Sequence, residues 1–228
     1  MRRLFRVVFL LIIVAGSVSM INQKKTKIIF FGDSITRMGV EPGGYITLID
    51  DALKAKGLSP QYDIEGAGIG GNKVYDLYLR MEDDVLARNP DVVLIWIGVN
   101  DVWHKVSGTG TDPDKFEKFY AAVIKKLQAK GIKVVVATPA AIGERTDYTN
   151  QQDGDLNYYS NIIRKLSKEY KTGLVDLRKD FREYNLKNNP ENKEKGILTK
   201  DRVHLTDAGN RLVAQKMLQV LIPGTKWD

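Results

Sequence analysis

The chain contains no cysteine. Disulfides, thiolate metal sites, a cysteine nucleophile and a lipidated-cysteine anchor are therefore excluded. Histidine is almost as scarce, with only His104 and His204 available as imidazole bases. No segment repeats at a fixed period, and no low-complexity tract divides the chain. The formal net charge is +7, yet the basic residues are dispersed. The dense basic stripe interleaved with aromatics that nucleic-acid binding requires is missing, so no nucleic-acid partner is expected.

Long apolar runs are also lacking, except at the start. In "MRRLFRVVFLLIIVAGSVSM" three arginines precede an apolar run and then small residues, the order of a secretory signal. Residues 1–20 are expected to be a signal peptide or an N-terminal membrane anchor. The charge-free stretch 7–23 is at the short limit of about 17 residues for crossing a bilayer, so any membrane contact is expected only through that stretch, if it is not cleaved. Export follows, to a bacterial periplasm, a cell surface or the medium. Without residues 1–20 the net charge falls to +4.

What remains is enough for one core, in a single domain over 24–223. Short apolar runs alternate with amphipathic stretches. Strands are expected at 27–31, 62–68, 91–98, 133–139 and 173–177. Helices are expected at 45–56, 74–88, 113–130, 156–171 and 207–221, with 187–200 irregular and polar. Five alternations of strand and helix predict a parallel sheet covered on both faces. In such sheets ligands sit beyond the carboxyl ends of the strands.

Three segments fall at such ends, and a fourth lies just before the last helix. "FFGDSITRMG" stops a strand abruptly at Gly32 and presents Ser34. A serine hydroxyl needs a neighbouring base to become a nucleophile. His204 lies in "DRVHLTDAGN", three residues after Asp201. In a tight turn that spacing brings a carboxylate to one ring nitrogen and leaves the other free. His104, in "NDVWHKVSG", has no acid at a comparable offset and is read as an exposed or hydrogen-bonded loop residue. "GAGIGGNKV" is rich in glycine, so its backbone can approach a ligand and present N–H groups. As a nucleotide-binding turn it is weak, because it follows the second strand and lacks a phosphate-loop lysine. "GVND" puts Asn100, an uncharged donor, after the most apolar strand. Asp33 is read as structural.

Taken together, "GDSI", the glycine-rich turn, "GVND" and "DRVHL" resemble the blocks of the SGNH, or GDSL-type, hydrolase family, in family order from residue 27 to 221. The resemblance implies a flavodoxin-like three-layer α/β/α sandwich with a five-stranded parallel sheet. It implies Ser34 as nucleophile, His204 as general base and Asp201 as its orienting acid. The implied oxyanion hole is the Ser34 amide, the Gly71 amide (Gly70 being the neighbouring alternative) and the Asn100 side chain. Ile35 stands where the family commonly has leucine. The pattern differs from the G-x-S-x-G elbow of α/β-hydrolases.

The implied activity is hydrolysis of carboxylic esters, with no cofactor and no metal. Short acyl groups on small molecules or carbohydrates, acetyl esters above all, are the expected substrates. Trp103, Tyr148 and Tyr158 are candidate sugar-stacking faces. Lysophospholipid, other lipid-ester or thioester hydrolysis is the alternative within the family, and a non-catalytic glycan-binding module the alternative outside it. A phosphate- or flavin-binding protein is disfavoured, because "GDSITRMG" offers one early glycine and an acid instead of a phosphate loop. No oligomeric state is specified by the chain.

Overall fold

The structure, a computed structural model, describes residues 24–225 and 227. The expected signal or anchor segment, and with it the stretch 7–23, lies outside the described residues. Among the described residues no helix is long and apolar enough to cross a membrane.

Five strands form one parallel sheet: β1 (Thr26–Gly32), β2 (Tyr62–Gly68), β3 (Val92–Trp96), β4 (Lys133–Ala137) and β5 (Gly173–Val175). Their spatial order is β2-β1-β3-β4-β5. The three inner strands are apolar and buried at nearly every position, as expected where both sheet faces are covered. At the edge, β2 is half-exposed and carries polar residues, with Glu65 paired to Lys27 at 2.7 Å.

The connections between the parallel strands carry the helices. From β1 the chain turns through α1 (Ser34–Gly39) and α2 (Tyr45–Ala55) into β2. Helix α3 (Val74–Asp84) leads to β3, then α4 (Val99–Trp103) and α5 (Pro113–Ala129) lead to β4, and α6 (Asp153–Glu169) leads to β5. Helix α3 packs on α5 and α5 on α6, forming one layer. After α7 (Leu177–Asn188), α8 (Asp207–Leu221) packs against α2 in the other layer. Inside this second layer Tyr45 is fully buried, edge-on to Phe30 at 5.7 Å and to Trp96 at 5.4 Å.

The crossover reverses direction between β1 and β3, so a crevice opens at their carboxyl ends. Gly32 is where the floor of that crevice is made. A Cβ on Gly32 would lie 2.3 Å from Thr36 Oγ1 and 2.4 Å from the Trp96 carbonyl oxygen. Only glycine lets α1 start this close above β3.

The fold class and all five strands match the expectation; β1 is longer by one residue at each end, β2 has the expected bounds, and β3, β4 and β5 are shorter. The strand read over 91–98 closes at Trp96 because Gly98, at φ +122°, turns the chain into α4. The strand read over 173–177 closes at Val175, and Leu177 instead begins α7. Helices α1, α4 and α7 were not expected from the sequence. The segment 187–200 is irregular apart from the last two residues of α7.

Candidate active site

Ser34 is the first residue of α1, and Asp33 caps that helix by accepting from the Ile35 N–H at 2.9 Å. The cap turns the chain out of β1 sharply enough to present the serine hydroxyl beyond the sheet. Asp33 is itself buried, and burial pushes its carboxyl up to about 7, with the nearby Asp101 charge adding to the shift.

Ser34 Oγ lies 2.9 Å from His204 Nε2. On the other side of the ring, His204 Nδ1 lies 2.6 Å from Asp201 Oδ2. A carboxylate only accepts, so Nδ1 carries the proton and Nε2 is left to accept from the serine hydroxyl. Asp201 is partly exposed and also accepts from the backbone N–H groups of Val203 (3.1 Å) and His204 (2.7 Å). Burial alone would raise its carboxyl. The hydrogen bonds from the His204 ring and from the two backbone N–H groups outweigh that and hold it below the usual carboxylate range. The serine and the turn that carries Asp201 and His204 come from opposite ends of the chain. The fold joins them into one hydrogen-bonded line.

The glycine turn follows β2, at the same end of the sheet as Ser34. Gly71 adopts φ +77°, a left-handed conformation that side chains disfavour. Among the described residues, the amides of Ser34, Gly70 and Gly71 donate to no protein acceptor. Asn100, 2% exposed in the first turn of α4, donates from Nδ2 to the Asn72 carbonyl at 3.1 Å. One amide proton thus ties α4 to the glycine turn, and the second remains for a ligand. The three expected donor groups therefore stand after the carboxyl ends of β1, β2 and β3, at one end of the parallel sheet.

Comparison with known proteins decides what this arrangement belongs to. The model of the GDSL-like lipase/acylhydrolase family matches residues 30–212. The chain belongs to that family. It is a carboxylic ester hydrolase. A solved acetyl xylan esterase, AlAXEase, shares 68% sequence identity, with a TM-score of 0.85 over 86% of this chain and 100% of its own. The acetylxylan esterase of Geobacillus stearothermophilus is 28% identical over 222 residues, 88% of this chain and 95% of its own. A solved acetylxylan esterase of the same organism, Axe2, is 26% identical, with a TM-score of 0.75 over 92% of this chain and 100% of its own. A lipoprotein of Bacillus subtilis, YqeF, is 25% identical over 92% of this chain and 94% of its own.

Other residues of this hydrolase shape the site without any signal in the sequence. Glu144, on the segment after β4, is 1% exposed. Its Oε1 accepts from the N–H groups of Leu198 and Thr199, both at 2.6 Å, and its Oε2 from Ile197 at 2.8 Å. The Thr199–Leu205 bridge and the Lys200 N–H to His204 carbonyl bond (2.8 Å) then close the turn that bears Asp201 and His204. Glu144 is the post to which that turn is tied. Arg80 plays the matching part for the glycine turn. Its guanidinium donates to the carbonyls of Gly32 (2.7 Å) and Ala67 (3.0 Å) and, through Nε, to Asn72 Oδ1 (2.7 Å).

The second histidine stays outside the line. The His104 ring stacks near Trp103 at 5.8 Å and makes no hydrogen bond among the described residues. Burial, and then the Lys73 charge, hold its imidazole below the usual range. Trp103 is half-buried and stands edge-on to His204 at 6.3 Å. Tyr148 and Tyr158 are exposed. Among the described residues, no group of three or more potential ligands could hold a metal ion.

Proposed function

We propose that this protein removes short acyl groups, chiefly acetyl, from carbohydrate esters through an acyl-enzyme on Ser34. His204 Nε2 takes the hydroxyl proton as Ser34 Oγ bonds to the ester carbonyl carbon. Asp201 holds the ring in the required tautomer and stabilises the imidazolium. The negative charge on the carbonyl oxygen meets the amides of Ser34 and Gly71 and the free Asn100 proton. As the tetrahedral species collapses, the imidazolium returns its proton to the departing alcohol oxygen. Water, deprotonated by the same nitrogen, then releases the carboxylic acid and restores Ser34.

The observation that carries this reading is the unbroken Ser34–His204–Asp201 line, at 2.9 and 2.6 Å. The carbohydrate acetyl ester is supported by the acetyl xylan esterases that the chain resembles along nearly its whole length. The basic, apolar and then small residues of 1–20 support delivery outside the cytoplasm, where polymeric glycans are met.

The test is hydrolysis of p-nitrophenyl acetate and acetylated xylan by the native protein and by Ser34→Ala. The native protein is expected to cleave both and to lose rate on long-chain acyl esters. Ser34→Ala is expected to lose at least about 10³-fold in kcat. Full activity in that variant would remove the serine from its assigned role. A preference for long-chain esters would instead move the substrate class to lipids.

A further inference from the structure

Beside the Ser34–His204–Asp201 line, on the layer formed by α2 and α8, lies a hollow of about 310 Å³ between the α1–α2 turn and the start of α8. Ile35, Met38 and Leu205 form its apolar wall, and Glu41, Lys200 and Asp207 form its charged rim. Three of these six are chain neighbours of the site residues: Ile35 follows Ser34, Lys200 precedes Asp201 and Leu205 follows His204. The hollow is therefore built from the same turns that carry the chemistry.

The rim charges are unspent. Among the described residues, the Glu41 and Asp207 carboxylates bond to no protein group, and the polar neighbour of the Lys200 ammonium is the Met38 sulfur at 4.0 Å. Elsewhere on the surface, acids and bases commonly find each other, as in Lys54–Asp50 (2.8 Å), Lys126–Glu82 (2.5 Å) and Lys216–Asp180 (2.7 Å). Two carboxylates and an ammonium around one hollow, none paired with another, leave both acceptors and donors for a guest.

The direction of the reaction selects the guest. Around the tetrahedral carbon, the oxyanion points to the donors at the ends of β2 and β3. The leaving oxygen points to His204 Nε2, which alone can protonate it. The alcohol part of the ester consequently departs on the His204 side, and two residues of the hollow lie close by in the chain: Met38 one helical turn after Ser34, and Lys200 next to Asp201. We infer that the hollow is the subsite for the sugar bearing the ester, its C–H face on Ile35, Met38 and Leu205 and its hydroxyls on Glu41, Lys200 and Asp207. A pyranose matches such a site because it has an apolar face and a polar edge, whereas a fatty chain would leave the charged rim facing hydrocarbon. The inference rests on the serine-esterase reading and adds to it the residues that recognise the alcohol.

Glu41 and Lys200 are both exposed, so the double variant Glu41→Ala/Lys200→Ala keeps its fold. The quantity measured is kcat/KM on an acetylated xylo-oligosaccharide divided by kcat/KM on p-nitrophenyl acetate, whose alcohol has no sugar hydroxyls. The ratio is expected to fall about tenfold, through KM, for the loss of two ordinary hydrogen bonds. Met38→Trp, which fills the hollow, should lower the same ratio. Calorimetry of unacetylated xylotetraose on Ser34→Ala reads the subsite without turnover, and binding there should weaken about tenfold when Glu41 and Lys200 are also replaced. An unchanged ratio and unchanged binding overturn the subsite while leaving the esterase intact. A native protein that cleaves p-nitrophenyl acetate but no acetylated oligosaccharide overturns the carbohydrate reading and the subsite with it.

Discussion

Two aspartates flank the reacting groups, and they have opposite fates. Asp33 is next to Ser34 in the chain, 2% exposed, and caps α1 with its carboxyl pushed up to about 7 by burial. Asp201 is remote from Ser34 in the chain, its side chain is 46% exposed, and three N–H groups at 2.6 to 3.1 Å hold its carboxyl low. Closeness in sequence gave Asp33 a backbone to support. A tight turn gave Asp201 an imidazole to orient. On the proposed mechanism, what separates a structural acid from a chemical one is the number and kind of donors around it.

The widest break in that comparison is expected from Asp201→Asn. An amide can donate to Nδ1 and so favours the tautomer that leaves Nε2 protonated, which costs on the order of 10⁴ in kcat. Steady-state kinetics on p-nitrophenyl acetate measures it. Next comes Asn100→Ala, expected to lower kcat by about 10²–10³ for one missing oxyanion donor, with a smaller change in KM. Glu144→Ala touches no reacting atom, yet it frees the turn that carries Asp201 and His204. A loss of about 10²-fold in kcat is expected from such misplacement, and Glu144→Gln, which keeps an oxygen for Leu198 and Thr199, should recover part of it. Equal kcat in Glu144→Ala and the native protein would show that the turn holds itself.

The smallest effect closes the comparison from the other side. Asp33→Asn keeps an N-cap side chain but removes the ionisation. A carboxyl whose folded value is about 7 and whose unfolded value is about 3.9 binds more protons in the fold between those limits. Its contribution to stability is therefore complete below about pH 4 and is lost as the pH rises through 7. Asp33→Asn should flatten that part of the melting-temperature profile, raising Tm by a few degrees at pH 8 relative to the native protein and leaving turnover within a factor of a few. Melting curves from pH 4 to 8 check it, and an unaltered slope would mean that Asp33 titrates alike in both states.

Much of this architecture was legible because its signals are local. The apolar run of β3 and the amphipathic faces of α2, α5 and α8 declare their elements within a few residues. The site motifs declare themselves because glycine, serine and asparagine stand just after strands, and an aspartate and a histidine three residues apart stand just before α8. Helices α1 and α4, at six and five residues, are too short to show a period. Helix α7 is mostly polar and buries only Leu177, Arg178, Phe181 and Asn185, so its apolar stripe is faint. Glu144 left no trace at all, because its partners are backbone amides more than 50 residues away. Trp103 was visible as an aromatic in a polar loop, but its edge-on packing against His204 depends on two distant turns meeting.

The acid and the imidazole share one closed turn, spanned by the Lys200–His204 bond and the Thr199–Leu205 bridge. Any excursion of that segment carries both groups away from Ser34 as a single body, with the proton still held between them. The machine thus has one joint that can come apart instead of two. Warming or mild denaturant would silence it by parting the serine from an intact partner pair.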